Sequence, residues 1–238
     1  IQPGALPLTD VEAAPALQAL HIAQGLKPAL DPHPFYILST AVLFFIYGGG
    51  TDFLARFVPA LVGSLLVFVP LLFADLIKPR AAVLLAFFIA LDPGLGALSR
   101  QVAGPILAIA FLLFALGFYD RNKAVPAGIF AALALLSGPF IWAGVLGIAI
   151  TWGILKLLRR RPKPTEAEVD SPETDHQSPA FDSRLSIISL VATLLTVGTL
   201  FFIAPNGLSA ALASIPAFIR SWLSVSFVPV GRLFFSML

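Results

Sequence analysis

Leu8-Thr9-Asp10-Val11-Glu12-Ala13, leading on to Asp31-Pro32-His33-Pro34, is the first polar stretch of this chain, and nearly everything after it is apolar enough for a bilayer. It sets two carboxylates two residues apart, ahead of a weakly amphipathic run and a His-Pro entry into the first apolar segment. Thr9 or Asp10 suits the N-cap of a short helix, with Glu12 in the first turn, where an acid complements the helix dipole. If the chain does chemistry, the same two acids, Asp10 and Glu12, are where a proton acceptor is expected. Ala13, Ala16, Leu17 and Leu20 recur at helical spacing, with Gln18, His21 and Gln24 on the other side, which predicts a helix lying on a membrane surface. Lys27-Pro28 and Asp31-Pro32 end it, because a residue before proline is pushed out of the helical region. His21 and His33 have no partner at metal-ligand spacing and read as interfacial histidines.

Composition sets the class. Of the 238 residues 58% are hydrophobic and 12% charged, and the mean hydropathy is +0.92. Soluble domains carry about 25% charged residues, so the depletion is about twofold, as in a polytopic membrane protein. A net charge of +2, without a basic stripe interleaved with aromatics, argues against nucleic acid as a partner. The chain has no cysteine, which excludes disulfides, thiolate metal sites and cysteine nucleophiles. No cofactor is identified, and a divalent metal is left open. A start at Ile1 and an end at Leu238 inside an apolar run read as a piece of a longer or trimmed protein.

The expected fold is all-α, a polytopic transmembrane helical bundle with interfacial amphipathic helices. Residues 1–33 form an outer-face loop with the acidic motif and the interfacial helix. Residues 34–158 form a transmembrane module built of apolar runs at 34–47, 53–74, 81–91, 102–119, 124–136 and 140–155. The first of these is shorter than the ~20 residues a spanning helix needs, and Pro59 and Pro70 should kink the second. Residues 159–184 open on Arg159-Arg160-Arg161-Pro162-Lys163-Pro164 and continue rich in Glu, Asp, Ser and Pro, which reads as a cytoplasmic polar linker. Residues 185–238 supply a spanning helix at 185–204, an interfacial helix at 207–223 and the start of another.

Most Lys and Arg fall at 78–80, 121–123 and 156–163, and the positive-inside rule puts these turns in the cytoplasm. The turns at 48–52, 92–100 and 137–139 then face outward. If the 34–47 segment dips in and returns or lies along the interface, Asp10, Glu12, Asp52, Arg56, Asp92 and Arg100 share the outer face. That is a carboxylate-plus-guanidinium arrangement suited to moving a group from a lipid-linked phosphate to a hydroxyl. A carboxylate takes the acceptor proton, and arginine forks onto phosphate oxygens. Against this stands a plainer reading, in which Asp92 and Arg100 pair with each other or snorkel to the headgroups.

These pieces resemble the membrane-embedded module of GT-C glycosyltransferases, the kind seen in protein O-mannosyltransferases and aminoarabinose transferases. The likeness lies in Asp10-Val11-Glu12-Ala13, His33-Pro34-Phe35-Tyr36, Asp52-Phe53-Leu54-Ala55-Arg56-Phe57, Leu91-Asp92-Pro93 and Leu98-Ser99-Arg100-Gln101-Val102-Ala103, in that order over residues 8 to 140. The resemblance implies a polyprenyl-phosphate sugar donor, Asp10 or Glu12 as the base, and His33, Arg56, Asp92 and Arg100 about the substrate. It also implies a multi-pass protein of the bacterial inner (plasma) membrane. The chain departs from the family's adjacent Asp-Glu, which would align with Val11 and Glu12 and leave Asp10 displaced by one. Gly104 stands where an acid often follows the Ser-Arg motif. The alternative expectation is a non-catalytic subunit that packs against other membrane subunits and keeps the helical fold. A transporter is a weaker option, since no matched pair of broken helices is visible.

Overall fold

The computed structural model describes residues 7–159, 182–199 and 206–223. Most of the linker expected at 159–184, the end of the helix expected at 185–204 and the segment expected from Ser224 onward lie outside the described residues. Every regular element among the described residues is helical. In order these are α1 (Asp10–Ala23), α2 (Pro34–Tyr47), α3 (Asp52–Leu65), a 3-10 turn (Leu66–Phe68), α4 (Val69–Leu72), α5 (Ala74–Ile77), α6 (Pro79–Leu91), α7 (Pro93–Leu98), α8 (Ile106–Asp120), α9 (Ala124–Leu136), α10 (Phe140–Arg159), α11 (Ser183–Gly198) and α12 (Asn206–Leu223). Among the described residues two stretches, Asp52–Leu72 and Phe140–Leu157, are long and apolar enough to cross a membrane. The other apolar helices are shorter. At 1.5 Å per residue, a helix of α2's length spans about 21 Å against a hydrocarbon core of about 30 Å.

The helix α2 is the hub. Its start is set by Pro34 at the first helical position and its end by Gly48 in the left-handed conformation. Tyr36, Ile37, Leu38, Thr40, Ala41 and Phe44 are all buried, and α2 packs against α1, α3, α9, α11 and α12. It is thus a core element wrapped by protein, rather than a segment free on the interface. The helix α1 lies against it through Pro15, Ala16 and Ala19, while Leu17, expected on the packed side, is half exposed.

Pro59 sits within α3 without ending it, but Pro70 marks a real break. Proline lacks an N–H and its ring crowds the carbonyl four residues earlier. The ladder tightens to 3-10 geometry from Leu66, four residues before Pro70. Gly63 rests against Ile106 and Gly117 against Leu72, so α3–α4 and α8 run side by side in the same direction. Their far end is tied by Arg121, whose Nε and Nη2 donate to the carbonyls of Leu72 (2.8 Å) and Leu71 (2.6 Å) beside Asp75 at 3.8 Å. A cation is thereby placed on the exposed carbonyls of a helix C-terminus.

The pair α9–α11 is the closest-packed. Ala124, Gly128 and Ala132 are buried along one stripe of α9, and a Cβ on Gly128 would run into the backbone carbonyl of Ser186 and the hydroxyl of Ser189. By contrast α6 buries only Ala82, and every α10 residue described from Val145 on is exposed, leaving apolar faces that no described residue covers. The helix α11 is described over Ser183–Gly198, with the Leu195 carbonyl accepting the N–H of Thr199.

Gly128→Val should destabilise the protein by about 1–3 kcal/mol through overpacking. Gly147→Ala in α10, where a Cβ meets nothing, should leave stability unchanged or raise it slightly. Thermal unfolding of both variants in one detergent checks the contrast.

Candidate functional site

The acidic motif folds as its capping chemistry dictates. Thr9 is the N-cap of α1 in extended geometry, and Glu12 is the third helical residue. The Glu12 carboxylate reaches back, and its Oε2 accepts from the Thr9 backbone N–H and the Thr9 hydroxyl, both at 3.1 Å. This is the reach of the glutamate in a capping box. The same Oε2 takes a charge-assisted bond from Arg56 Nη2 at 3.3 Å, and Oε1 accepts the Val102 N–H at 3.1 Å. Arg56 Nη2 also donates to the Pro7 carbonyl at 3.2 Å.

Arg56 reaches this point because Thr51 caps α3, its hydroxyl accepting the Leu54 N–H at 3.2 Å, so that Arg56 emerges from the second turn. Its side chain is 8% exposed and that of Glu12 14% exposed. Beneath the pair, buried Tyr36 donates to the Ala55 carbonyl at 2.9 Å and fixes α2 against α3. Burial pushes the Glu12 carboxyl up, but the Val102 amide, the two Thr9 donors and the Arg56 charge outweigh it and hold the group below its ordinary range.

One flank of α1 opens into a cleft of about 550 Å³, whose other wall is the 101–105 segment and whose floor includes His33 and Phe140. His33 is half buried. Its Nδ1 lies 3.2 Å from the Ser137 carbonyl and therefore carries the proton there, which leaves Nε2 as the bare nitrogen. Burial lowers the His33 pKa, opposed by the Ser137 carbonyl and the Asp31 carboxylate, so the ring is neutral near pH 7. Gly138, at φ +110°, is the residue over which the ring sits, and any side chain there would collide with it. Asp31 is fixed by its own N–H, which donates to Gln18 Oε1 at 2.8 Å.

The expected site residues divide. Glu12 and Arg56 are brought together, and Glu12 and His33 both line the cleft. Asp10 is exposed on the first turn of α1, between Thr9 and Val11, which line the cleft where it does not. Asp92 is exposed and caps α7, accepting the Leu95 N–H at 2.9 Å. Arg100 is exposed just after α7, and no ion pair joins it to Asp92 among the described residues. The shared pocket of Asp10, Glu12, Asp52, Arg56, Asp92 and Arg100 is therefore not the cleft seen here. Of the six only Glu12 lines it, because Arg56 is spent on Glu12 and Pro7, and the short helix α7 turns its cap outward. Asp52 lines a separate, mainly apolar groove with Leu8, Leu17, Leu20 and Phe44.

Asp31, Gln101 and the Val102 amide stand in the quoted stretches, but no role in the site follows for any of them from sequence alone. The proline after Asp31 and the place of Val102 directly after Arg100-Gln101 were the available signals. No group of residues able to hold a metal ion occurs among those described. The chain matches no protein-family model, no characterised protein and no solved structure.

Because the folded-state pKa of Glu12 is depressed, the clamp's stabilisation is complete above the ordinary carboxylate value of about 4.3 and is lost as pH falls through the lowered one. The stability gap between wild type and Glu12→Gln should thus be full at pH 7 and narrow below about pH 4. Arg56→Met, which strands the carboxylate, should cost about 3 kcal/mol at pH 7. Unfolding midpoints across pH test both.

Proposed function

We propose that this chain is a membrane glycosyltransferase-like module of the GT-C kind, multi-pass in a bacterial inner membrane, acting on a polyprenyl-phosphate sugar at the outer face. One observation carries the reading. Three of the stretches on which the resemblance rests, at 10–13, at 52–57 and at 98–103, meet at the Glu12 carboxylate beside a cleft. Pieces 44 and 90 residues apart in sequence thus serve one local arrangement.

The roles within the reading follow from which groups are spent. Glu12 already accepts from Thr9, Arg56 and Val102, and its pKa is low, so it is a positioning residue and a poor proton acceptor. Asp10, exposed between two residues that line the cleft, is the carboxylate left to take the acceptor proton. Exposed Arg100 is better placed than buried Arg56 to meet a phosphate at the surface. As the acceptor oxygen bonds the anomeric carbon, the sugar–phosphate bond breaks and its electron pair leaves with the polyprenyl phosphate. Asp10 receives the hydroxyl proton.

A second reading has its own support. Val11, 85% exposed, lines the cleft at the position that aligns with the family's first acid. A module with an apolar residue there and its glutamate locked into the fold suits a non-catalytic subunit, packing on other membrane subunits through the uncovered faces of α6 and α10.

Transfer of labelled sugar from a polyprenyl-phosphate donor separates the two readings. The transferase reading expects turnover in wild type and a fall of at least about 100-fold in Asp10→Asn, the usual scale of general base catalysis. It also expects a rise in Val11→Asp. Turnover unchanged in Asp10→Asn removes the base; silence in wild type and Val11→Asp alike leaves the subunit. Topology has a separate check, because the chain lacks cysteine. Single cysteines at Ala97 and at Lys123 should label from opposite sides of the membrane with an impermeant maleimide, the first from outside.

A further inference from the structure

The charges of the described residues are sorted between the two ends of the molecule. The helices α9 and α11 lie side by side in the same direction, with the Ser189 hydroxyl donating to the Val125 carbonyl near their starts and Leu136 against Gly198 at their ends. The helix α10 runs along α8, since Phe140 borders the cleft beside the 101–105 segment and Gly144 rests against Leu112. Lys156, about 18 Å along the axis from Gly144, therefore reaches the level of the α8–α9 turn. Lys78, Arg80, Arg121, Lys123, Lys156 and Arg184 thus gather at one end, and all are exposed. The acids there are fewer: Asp75 lies beside Arg121, Asp182 caps α11, and Asp120 is exposed. At the α1 end the balance is reversed, because Glu12 and Arg56 have paired and Asp10, Asp31, Asp52 and Asp92 remain with Lys27 and Arg100.

The basic end is flanked by apolar surface. The helix α6 leaves it from Arg80 and α10 reaches it at Lys156, and neither carries an ionisable residue over its apolar length, 81–91 and 140–155. Leu84, Phe87 and Phe88 on α6 and Leu146, Ile150 and Ile154 on α10 are exposed. Tyr119 and Trp152, both exposed near this end, are the amphipathic rings that favour a headgroup layer, and the Lys156 ammonium lies 4.9 Å from the centre of the Trp152 ring. A soluble polyanion would neutralise the cations but leave the apolar faces in water. A phospholipid of net negative charge satisfies both, its phosphate on the cations and its acyl chains on the helices. We propose that this end is a docking surface for the anionic phospholipid headgroups of one leaflet, with their acyl chains against α6 and α10. The inference holds for a transferase and for a non-catalytic subunit alike.

Quenching of Trp152 fluorescence by brominated lipids, with the full chain in phosphatidylcholine vesicles, tests the inference. In a Trp142→Phe/Trp222→Phe background Trp152 is the sole tryptophan. The vesicles carry an equal mole fraction of brominated phosphatidylglycerol or of brominated phosphatidylcholine. At low salt the anionic lipid should associate about fivefold more strongly, the worth of one basic side chain at a charged surface. The preference should fall toward equality in about 0.5 M NaCl, where the Debye length shrinks to roughly 4 Å. Joint replacement of Lys78, Arg80, Lys123, Lys156 and Arg184 by Gln should abolish it, with Arg121 kept for its hold on the Leu71 and Leu72 carbonyls. Replacement of the three lysines by Arg should retain it, as should Lys27→Gln at the other end. Sodium phosphate should weaken it no more than NaCl of equal ionic strength. Equal quenching by both lipids at low salt, a preference that survives the joint neutralisation, or a phosphate effect beyond that of salt overturns the inference. The last of these would mark a site for free phosphate instead of a membrane surface.

Discussion

A carboxylate taken largely out of water must find donors or lose its charge. Glu12 finds them on three separate pieces of chain, and that constraint organises this end of the molecule. Thr9 is local, and any helix start could supply it. Arg56 and the Val102 amide are not local, and they exist at the right place only if α3 begins at its cap and α8 is preceded by an irregular run. Removing one donor would leave the charge under-satisfied, so α1, α3 and the 101–105 segment are mutually dependent. The polar residues in this region therefore tie elements together first and remain available for chemistry second.

The opposite end of the α3–α4 and α8 pair is tied by different means. There a guanidinium from the turn after α8 covers the Leu71 and Leu72 carbonyls that the end of α4 leaves open. Between these two polar ties the contacts are apolar and close, with Gly63 and Gly117 admitting the neighbouring helix. The two ties differ in sign of exposure. The Glu12 pair is buried, whereas Arg121 and Asp75 are exposed, and their ion pair is long and worth little beside the carbonyl bonds.

Much of the helical framework was legible in sequence because proline and glycine punctuate it. The limits of α2 and α9 follow from Pro34, Gly48, Lys123 and Ser137 with little error. The short helix α7 was not legible, since Pro93-Gly94 reads as a turn although Asp92 caps it into a helix. The Glu12–Arg56 pair was anticipated only as common membership of one face. Its status as a tie was hidden, because a salt bridge across 44 residues depends on the packing of α1 and α3 rather than on either motif. The hub role of α2 was hidden for the same reason. An apolar run shorter than a membrane reads alike whether it lies on a surface or is enclosed by other helices.

Whether an acid of the first turn stands at position 10 or at position 11 has a geometric consequence. Successive residues on an α-helix are about 100° apart. Glu12 is pinned inward by its donors, so the rotation of α1 is fixed, and with it the directions of its neighbours. Val11 borders the cleft and Asp10 does not. An acid at position 10 therefore stands outside the cleft lining, whereas an acid at position 11 would stand on its wall. The locked glutamate is thus also what denies the first turn freedom to bring Asp10 round, and access of an acid to the cleft is decided by the phase of a helix rather than by the presence of carboxylates.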